Sequence, residues 1–498
     1  MKRETFPLLN ILYNSITRIG IILAASVAGA IGIFLNYLYM LHVAIGSLVI
    51  LAFLRNRYLL LIVCILLNAL IGSSLPLVNG NNLLSSLVIP TFLLMFTLPL
   101  KKTIQRMPAL GFLAIYLVWV FASISISEIG TGAFLINWFG YIYFLAISIL
   151  TINVTTTWKR LIGLVDAILL LSTFVSIYGI YGYITKQSGI TDTTTSLFRI
   201  TSIFGAAPTL ALFLSLGIPL ALYRALTLQG LIKRVGISIL VLIYCIALAL
   251  TATRTTEISL PLSIMIIIFF LPSHKIKIGL LSSFLVLTLL TILFTTISGI
   301  PILSRFFNPD ILTLNNRVYL WHAVLDHFDP TRLLGSGLKS AQILLTNSVQ
   351  VSVTNQGIIA TSPHSAFLEI LYDHGIIGVA LLALALITLA ANLITGIRGT
   401  TGNHRLLFVT AFAIFVSVLI QSFESEDIWL QGIGMYFWLI MSLPFAYCWS
   451  QAKQPSKYGK NIFAKTLKPQ MKVEQETEHE NVSPVPLLSQ GTMEAGKE

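Results

Sequence analysis

Apolar runs long enough to cross a bilayer alternate with short polar connections along most of the chain. A transmembrane helix needs roughly 17 to 25 mainly apolar residues, and on that basis the sequence predicts about fourteen candidate spans. They lie at residues 18–37, 39–54, 58–75, 83–100, 109–127, 133–152, 160–184, 204–223, 235–252, 255–271, 277–299, 375–397, 406–423 and 428–449. We therefore expect an all-α polytopic membrane protein with about 12 to 14 transmembrane helices.

One predicted connection, residues 300–373, is far longer than the usual loop, and such loops are commonly functional or disordered. Its sequence is neither low in complexity nor polar throughout. Apolar residues between Val318 and Phe328 recur at helical spacing and Pro330 follows, which predicts an amphipathic helix at the membrane interface. We expect one membrane domain, residues 1–450, that includes this loop, and a disordered tail, residues 451–498.

Basic residues form short clusters between the apolar runs, and the predicted spans place every cluster on the same side of the membrane. Because lysine and arginine mark cytoplasmic loops, we expect both termini in the cytoplasm and the long loop on the extracytoplasmic face of the inner membrane. The chain is 56% hydrophobic and only 10% charged, too few polar residues to cover a water-soluble globule. The clusters account for the net charge of +12, so membrane lipids are expected partners and nucleic acid is not.

Ser362, Pro363 and His364 precede the helix predicted after the long loop. Serine is a common N-cap and proline suits the first helical position, which predicts His364 in the first turn. Free amides and the positive end of the helix dipole attract anions there and disfavour the imidazolium ion. A neutral histidine beside an anion is suited to act as a general base. The alternative is that His364 only caps the helix or packs at an interface.

Three arginines are candidates for binding that anion. Arg254 lies at the predicted extracytoplasmic junction of two apolar runs, where a buried cation is costly, although it could simply pair with Glu257 as a helical neighbour. Arg317 precedes the predicted amphipathic helix and could instead be a solvated charge beside a nearby aspartate. Arg199 is a possible third cation on that face. Guanidinium groups match phosphate oxygens in bidentate geometry, so this set would suit a diphosphate.

The sequence contains no nucleotide-binding loop, no metal-ligand spacing and no Asp-x-Asp pair. Cys64, Cys245 and Cys448 fall in or at the end of apolar runs without disulfide or metal spacing, which indicates a packing role. We therefore expect no metal and no other cofactor, and a soluble sugar nucleotide is a poor donor. A glycan that is already activated and tethered to a polyprenyl diphosphate fits better.

Four stretches resemble motifs of the O-antigen ligase and O-antigen polymerase superfamily, integral membrane glycosyltransferases that use undecaprenyl-diphosphate-linked glycans at the periplasmic face. They are Arg199 to Pro208, the pair Thr253-Arg254, Arg317 followed by Trp321, and Pro363-His364-Ser365 with Leu368, Gly375 and Gly378. The last stretch is the most specific, although Ser365 stands where many relatives carry Asn. The resemblance covers roughly residues 195–450.

The resemblance implies a GT-C-like membrane fold and a metal-independent inverting glycosyltransferase of lipopolysaccharide or other cell-surface polysaccharide assembly. Carried over at the matching positions, it implies that Arg254 and Arg317 bind the donor diphosphate and that His364 deprotonates the acceptor hydroxyl. Arg199 is a further candidate for the diphosphate. The implied partners are a lipid-linked glycan donor and, as acceptor, a glycan or the lipid A core.

Two other classes of function stay open at this point. A polysaccharide or lipid transporter or flippase also has many spans, but transporters usually carry ionisable residues near the bilayer midplane. Such charges are nearly absent here, and the main exception, Asp166, lies close to the cytoplasmic end of its predicted span. We expect Asp166 to pair with a cation or to reach the interface. A non-catalytic scaffold of an envelope complex is the third possibility. The sequence does not separate ligase from polymerase, because these differ in the acceptor.

Overall fold

The structure is a computed structural model that describes residues 56–69, 91, 98–187, 190–192, 198–297, 314–348, 362–423, 425 and 433–452. This part of the chain is almost entirely helical. Its helices are α1 (Arg57–Asn68), α2 (Leu100–Arg106), α3 (Ala109–Ala122), α4 (Thr131–Val154), α5 (Trp158–Thr185), α6 (Ala207–Thr227), α7 (Leu231–Thr251), α8 (Arg254–Phe270), α9 (His274–Ile297), α10 (Leu314–Asp326), α11 (Ser340–Ser348), α12 (Ala366–Gly399), α13 (Gly402–Gln421) and α14 (Gly434–Ala452).

Two short strands lie between α5 and α6. Strand β1 (Thr191–Asp192) pairs antiparallel with β2 (Arg199–Ile200). A single 3-10 turn, Ser202–Phe204, then leads into α6. This connection places Arg199 at the end of the helix bundle where α6 begins.

Six helices within the described residues are long and apolar enough to cross a membrane, namely α4, α5, α6, α7, α12 and α13. A seventh span results if α2 and α3, which are bent by 116° at their junction, count as one broken span. These findings confirm an all-α fold with several membrane-spanning helices. The total of 12 to 14 spans stays a prediction, since the runs at 18–37, 39–54 and most of 83–100 lie outside the described residues.

Helix α6 is the centre of the bundle and packs against α5, α7, α8 and α13. Most of its residues are buried, including Pro219 inside the helix. The Gln421 side chain joins three of these helices, because its amide oxygen accepts from Thr256 Oγ1 at 3.0 Å and its Nε2 donates to Ser215 Oγ at 3.1 Å. Such buried polar contacts are a common way to fix helices against one another in lipid.

The amphipathic helix predicted at Val318 to Phe328 is present as α10, shifted slightly towards the N-terminus. Leu320 and Val324 of α10 form a small apolar cluster with Leu345 of α11, against which Leu368 and Tyr372 of α12 pack. The described part of the long loop therefore folds onto the start of α12. Whether this loop faces the extracytoplasmic side stays a prediction.

Helix α12 begins at Ala366, well before the predicted span at 375–397, and it is interrupted at Gly375. Gly375 has φ 68° and ψ −177°, a conformation that glycine adopts without steric cost. A side chain there would collide with the carbonyl oxygens of Arg332 and Leu333 in the loop. The segment before the break carries the loop, and the segment after it is the membrane span.

The boundary between the membrane domain at 1–450 and the tail at 451–498 also stays a prediction. Of the tail, only the first two residues belong to the described part of the chain, where they complete α14.

Candidate active site

The junction between α7 and α8 holds two of the three predicted arginines. Arg199 reaches it from β2, and its Nε donates to the carbonyl of Thr251 at 2.8 Å while Nη2 donates to Thr253 Oγ1 at 3.3 Å. Ala252 turns the chain with a left-handed φ of 49°, and Arg254 is the first residue of α8. Arg199 therefore holds the backbone that presents Arg254.

Arg254 is half-buried at this junction. Glu257 lies in the same first turn of α8, so the local ion pair considered from the sequence agrees with the helical geometry. The other end of the bundle, where α6 ends and α7 begins, is one helix length away from Arg254. Arg254 and Arg199 thus form one cationic edge of the candidate site.

His364 lies just before α12 rather than in its first turn, which corrects the prediction from the sequence. Ser362 Oγ accepts a hydrogen bond from the His364 N–H at 3.0 Å, and His364 takes a left-handed φ of 50°. Helix α12 then starts at Ala366 with Ser365 as its N-cap residue. Ser362 therefore stabilises a tight turn instead of capping the helix, and this turn presents the imidazole at the helix entrance.

Arg317 and Trp321 approach this turn from α10, where residues four apart share one face. The Trp321 Nε1 donates to the carbonyl of Pro363 at 3.0 Å. The loss of hydration lowers the pKa of His364 below its ordinary value of 6.5, and the positive charge of Arg317 lowers that pKa further. The imidazole is consequently neutral at neutral pH and able to accept a proton, while part of the residue stays accessible.

The end of α13 connects the two halves of the candidate site. On one side, Gln421 is bonded to Thr256, which is in the first turn of α8 beside Arg254. On the other side, the Ala366 N–H at the start of α12 donates to the carbonyls of Ser422 at 3.0 Å and Ser425 at 3.1 Å. The structure therefore brings all four predicted site residues to the same end of the bundle, with His364 and Arg317 in one half and Arg254 and Arg199 in the other.

Sequence reasoning missed a group of buried polar residues that fastens the loop to α12. Asp373, 1% exposed, accepts hydrogen bonds from the N–H groups of Lys339 at 2.7 Å and Ala341 at 2.8 Å. The Lys339 ammonium pairs with Glu369 at 3.3 Å. The sequence signal that could have indicated this group is the presence of acidic residues next to a membrane span, because charges at such positions usually have a specific partner.

A second buried contact links α3 to the break in α12. The Tyr116 hydroxyl is 2.8 Å from His374 Nδ1, and Trp119 Nε1 donates to the His374 carbonyl at 3.0 Å. Both contacts surround the residue just before Gly375, so the break is held from the bundle side as well as from the loop side.

No group of His, Cys, Asp and Glu side chains that could hold a metal ion occurs within the described ranges. Of the three cysteines, Cys64 and Cys245 are free thiols in helices, which agrees with a packing role, while the side chain of Cys448 lies outside the described side chains.

Comparison with known families gives a match over residues 239–383 to the family model described as O-antigen ligase. This region is similar to O-antigen ligases. The resemblance drawn from the sequence motifs is thereby confirmed for the segment that contains Arg254, Arg317 and His364. The O-antigen ligase match also includes Gly375 and Asp373, whereas Arg199 lies before it. Comparison with curated proteins gave no significant match.

Proposed function

We propose that the protein is a glycosyltransferase that joins a polyprenyl-diphosphate-linked glycan to an acceptor hydroxyl at the extracytoplasmic face of the inner membrane. The observation that carries the proposal is the hydrogen bond from Trp321 to Pro363, which ties the helix bearing Arg317 to the turn bearing His364, inside the segment that resembles O-antigen ligases. A general base near a guanidinium suits attack on a diphosphate-activated sugar, because the base accepts the proton of the hydroxyl and the guanidinium binds the diphosphate.

In the proposed reaction, His364 takes the proton of the acceptor hydroxyl, and the acceptor oxygen attacks the anomeric carbon of the donor sugar. The bond from that carbon to the diphosphate oxygen breaks, and the polyprenyl diphosphate leaves with the electron pair. Arg254 and Arg317 stabilise the negative charge that develops on the leaving group. A single displacement of this kind inverts the anomeric centre and needs one base, and the arginines take the charge-neutralising role without a metal.

Arg199 has a different part in this proposal from the one expected from the sequence alone. Its contacts to Thr251 and Thr253 fix the junction that bears Arg254. We therefore assign it chiefly to orienting Arg254 towards the diphosphate, with its charge adding to the same cationic edge.

The transporter alternative receives less support from the charged residues. Asp166 forms a two-point ion pair with Arg224, with the Arg224 Nε 2.7 Å and Nη2 3.2 Å from its carboxylate oxygens. This agrees with a pairing role rather than a proton relay. The buried Asp373 also has both carboxylate oxygens on backbone amides of the loop.

The acceptor distinguishes the two forms of the proposed activity. Transfer of long glycan to lipid A core would make the protein a ligase, and transfer to another lipid-linked glycan would make it a polymerase. In both forms we place the site on the face away from the cytoplasm and both termini in the cytoplasm, as the distribution of basic residues predicts.

The test is a glycan gel of the host envelope after gene deletion, complemented with wild type, His364→Ala or His322→Ala. His322 is an exposed histidine on α10 and serves as the matched control. Unmodified lipid A core with long glycan left on the carrier indicates a ligase, and attachment of single repeats only indicates a polymerase. We expect His322→Ala to rescue the defect and His364→Ala to fail at normal expression. Full rescue by His364→Ala would contradict the proposed mechanism.

A further inference from the structure

An apolar groove lies at the end of the bundle away from the candidate active site. It encloses about 700 Å³ between α6, α7, α8 and α9. This volume is within the range of roughly 300 to 1,000 Å³ that ligand sites occupy in proteins. Its wall includes Leu226, Val241, Leu242, Ile268 and Leu280. The groove is therefore a cavity of ligand size that is separate from the residues proposed for glycosyl transfer.

Two of the three serines that line the groove already make hydrogen bonds within their own helices. Among its serines, Ser238 Oγ donates to the carbonyl of Arg234 at 3.0 Å, and Ser283 Oγ donates to the carbonyl of Gly279 at 2.8 Å. Both hydroxyls thus satisfy their hydrogen-bonding needs on their own helices. A hydrocarbon chain can lie against these two hydroxyls without leaving either of them unsatisfied.

Among the described residues, one cation, Arg234, lines the groove. Within that part of the chain no acidic side chain forms an ion pair with this guanidinium. Arg224 of the neighbouring helix differs, because Asp166 neutralises it. The cation at the groove therefore has charge to offer to a ligand.

Helix termini add to this positive field. Helices α7 and α9 both begin at this end, and neither has an acidic residue in its first turn. The first turns instead carry Lys233, Arg234, Lys275 and Lys277. A helix N-terminus carries partial positive charge and attracts anions, so it adds to the field of these basic side chains.

We propose that this groove binds one anionic phospholipid, with a hydrocarbon chain between α6, α7, α8 and α9 and its phosphate at Arg234. Basic pockets between transmembrane helices are a known way to hold acidic lipid headgroups. A guanidinium binds the phosphodiester of a headgroup with a net negative charge more strongly than that of a zwitterionic headgroup, whose own ammonium offsets the phosphate charge. The site does not depend on the proposed transferase activity.

The test is native mass spectrometry of the purified full chain in detergent micelles containing either dioleoyl-phosphatidylglycerol or dioleoyl-phosphatidylcholine. The two probes share their acyl chains and differ in headgroup charge. We expect wild type to retain the glycerol lipid several-fold more strongly than the choline lipid. Arg234→Gln should lower retention of the anionic lipid by about fivefold, the effect of one cation at a membrane surface.

Two further variants separate the groove from general surface charge. Lys233→Gln removes the neighbouring cation, which does not line the groove, and should lower anionic lipid retention much less than Arg234→Gln does. Leu242→Trp fills the groove from a partly exposed position and should lower retention of both lipids. Equal retention of the two lipids by wild type, or equal losses in Arg234→Gln and Lys233→Gln, would overturn the proposal.

Discussion

The indole N–H of Trp321 donates a 3.0 Å hydrogen bond to the carbonyl of Pro363, the residue immediately before His364. This bond joins the helix that carries Arg317 to the turn that carries the proposed base. Arg317 and Trp321 are one helical turn apart. The Trp321 hydrogen bond therefore fixes the distance between Arg317 and the His364 imidazole, which are far apart in the sequence. A small displacement of the arginine or the imidazole lowers the rate of catalysis more than it lowers the stability of the fold.

Replacing Trp321 by Phe should lower the rate of glycan transfer by about fivefold or more. The phenyl ring keeps most of the packing, while the lost hydrogen bond is worth about 1 kcal/mol. The measurement is initial transfer rate with purified protein and extracted lipid-linked glycan. Trp138→Phe is the matched control, since Trp138 Nε1 donates to the Leu117 carbonyl at 2.9 Å away from His364. Equal effects of both substitutions would indicate that the loss is only structural.

Replacing Arg317 by Gln should raise the pKa of His364, because the arginine charge is one of the causes that hold this pKa below 6.5. The neutral imidazole is the active form of a general base, so activity falls as pH drops through this pKa. A raised pKa moves the acidic limb of the pH profile of kcat/KM to higher pH.

The same shift can be measured without turnover. The rate at which diethyl pyrocarbonate modifies His364 follows the fraction of neutral imidazole, and peptide mapping separates His364 from the other histidines. Arg332→Gln is the control, because Arg332 is exposed and pairs with Asp329 at 3.4 Å. An unchanged titration of His364 in Arg317→Gln would show that Arg317 does not act on the imidazole.

Helix positions were predictable where apolar runs were bounded by polar residues. The run at 133–152 became α4 (Thr131–Val154), and the run at 160–184 became α5 (Trp158–Thr185). The start of α12 was not predictable in this way. Glu369 and Asp373 read as loop residues in a hydropathy pattern, yet contacts to Lys339 and Ala341 stabilise them inside a helix.

The choice of Arg199, Arg254, Arg317 and His364 as site residues stays a prediction from the sequence. Their local conformations could not be predicted from it. Serine followed by proline favours a helix start, and that inference placed His364 in the first turn. The observed turn depends on Trp321, and the orientation of Arg254 depends on Arg199. Both contacts cross long stretches of sequence, so no local pattern could indicate them.

Replacing Asp373 by Asn should destabilise the packing of the loop on α12. The asparagine side chain has one oxygen and one NH2 group. The backbone N–H of either Lys339 or Ala341 would therefore face the NH2 donor instead of an acceptor. A buried unsatisfied donor costs about 1 to 3 kcal/mol. The measurement is hydrogen exchange of the amides at residues 335–341, which should become faster than in wild type.

Asp329→Asn is the matched control for Asp373→Asn. Asp329 also accepts two hydrogen bonds, from the Thr331 N–H at 2.9 Å and Thr331 Oγ1 at 2.6 Å, but it is exposed, so water can replace them. Exchange at residues 335–341 should be unchanged in this variant. If both variants exchange alike, the buried position of Asp373 does not hold the loop.

Replacing Gly375 by Ala should destabilise the protein, for two reasons that act together. Its φ of 68° is unfavourable for a residue with a side chain, and the new methyl group would meet the carbonyl oxygens of Arg332 and Leu333. Backbone atoms cannot move aside as a flexible side chain can, so the break in α12 or the loop must shift. Thermal unfolding in detergent should therefore occur at a lower temperature than in wild type.

Gly279→Ala provides the opposite expectation in the same assay. Gly279 is inside α9, and a methyl group there would meet no atom within 4 Å. Alanine in a helix interior is favoured over glycine by about 0.5 to 1 kcal/mol, so this variant should unfold at the same or a higher temperature. A Gly375→Ala protein as stable as Gly279→Ala would mean that the loop does not contact the break. Impaired transfer by Gly375→Ala at temperatures where it stays folded would instead connect the break to the position of His364.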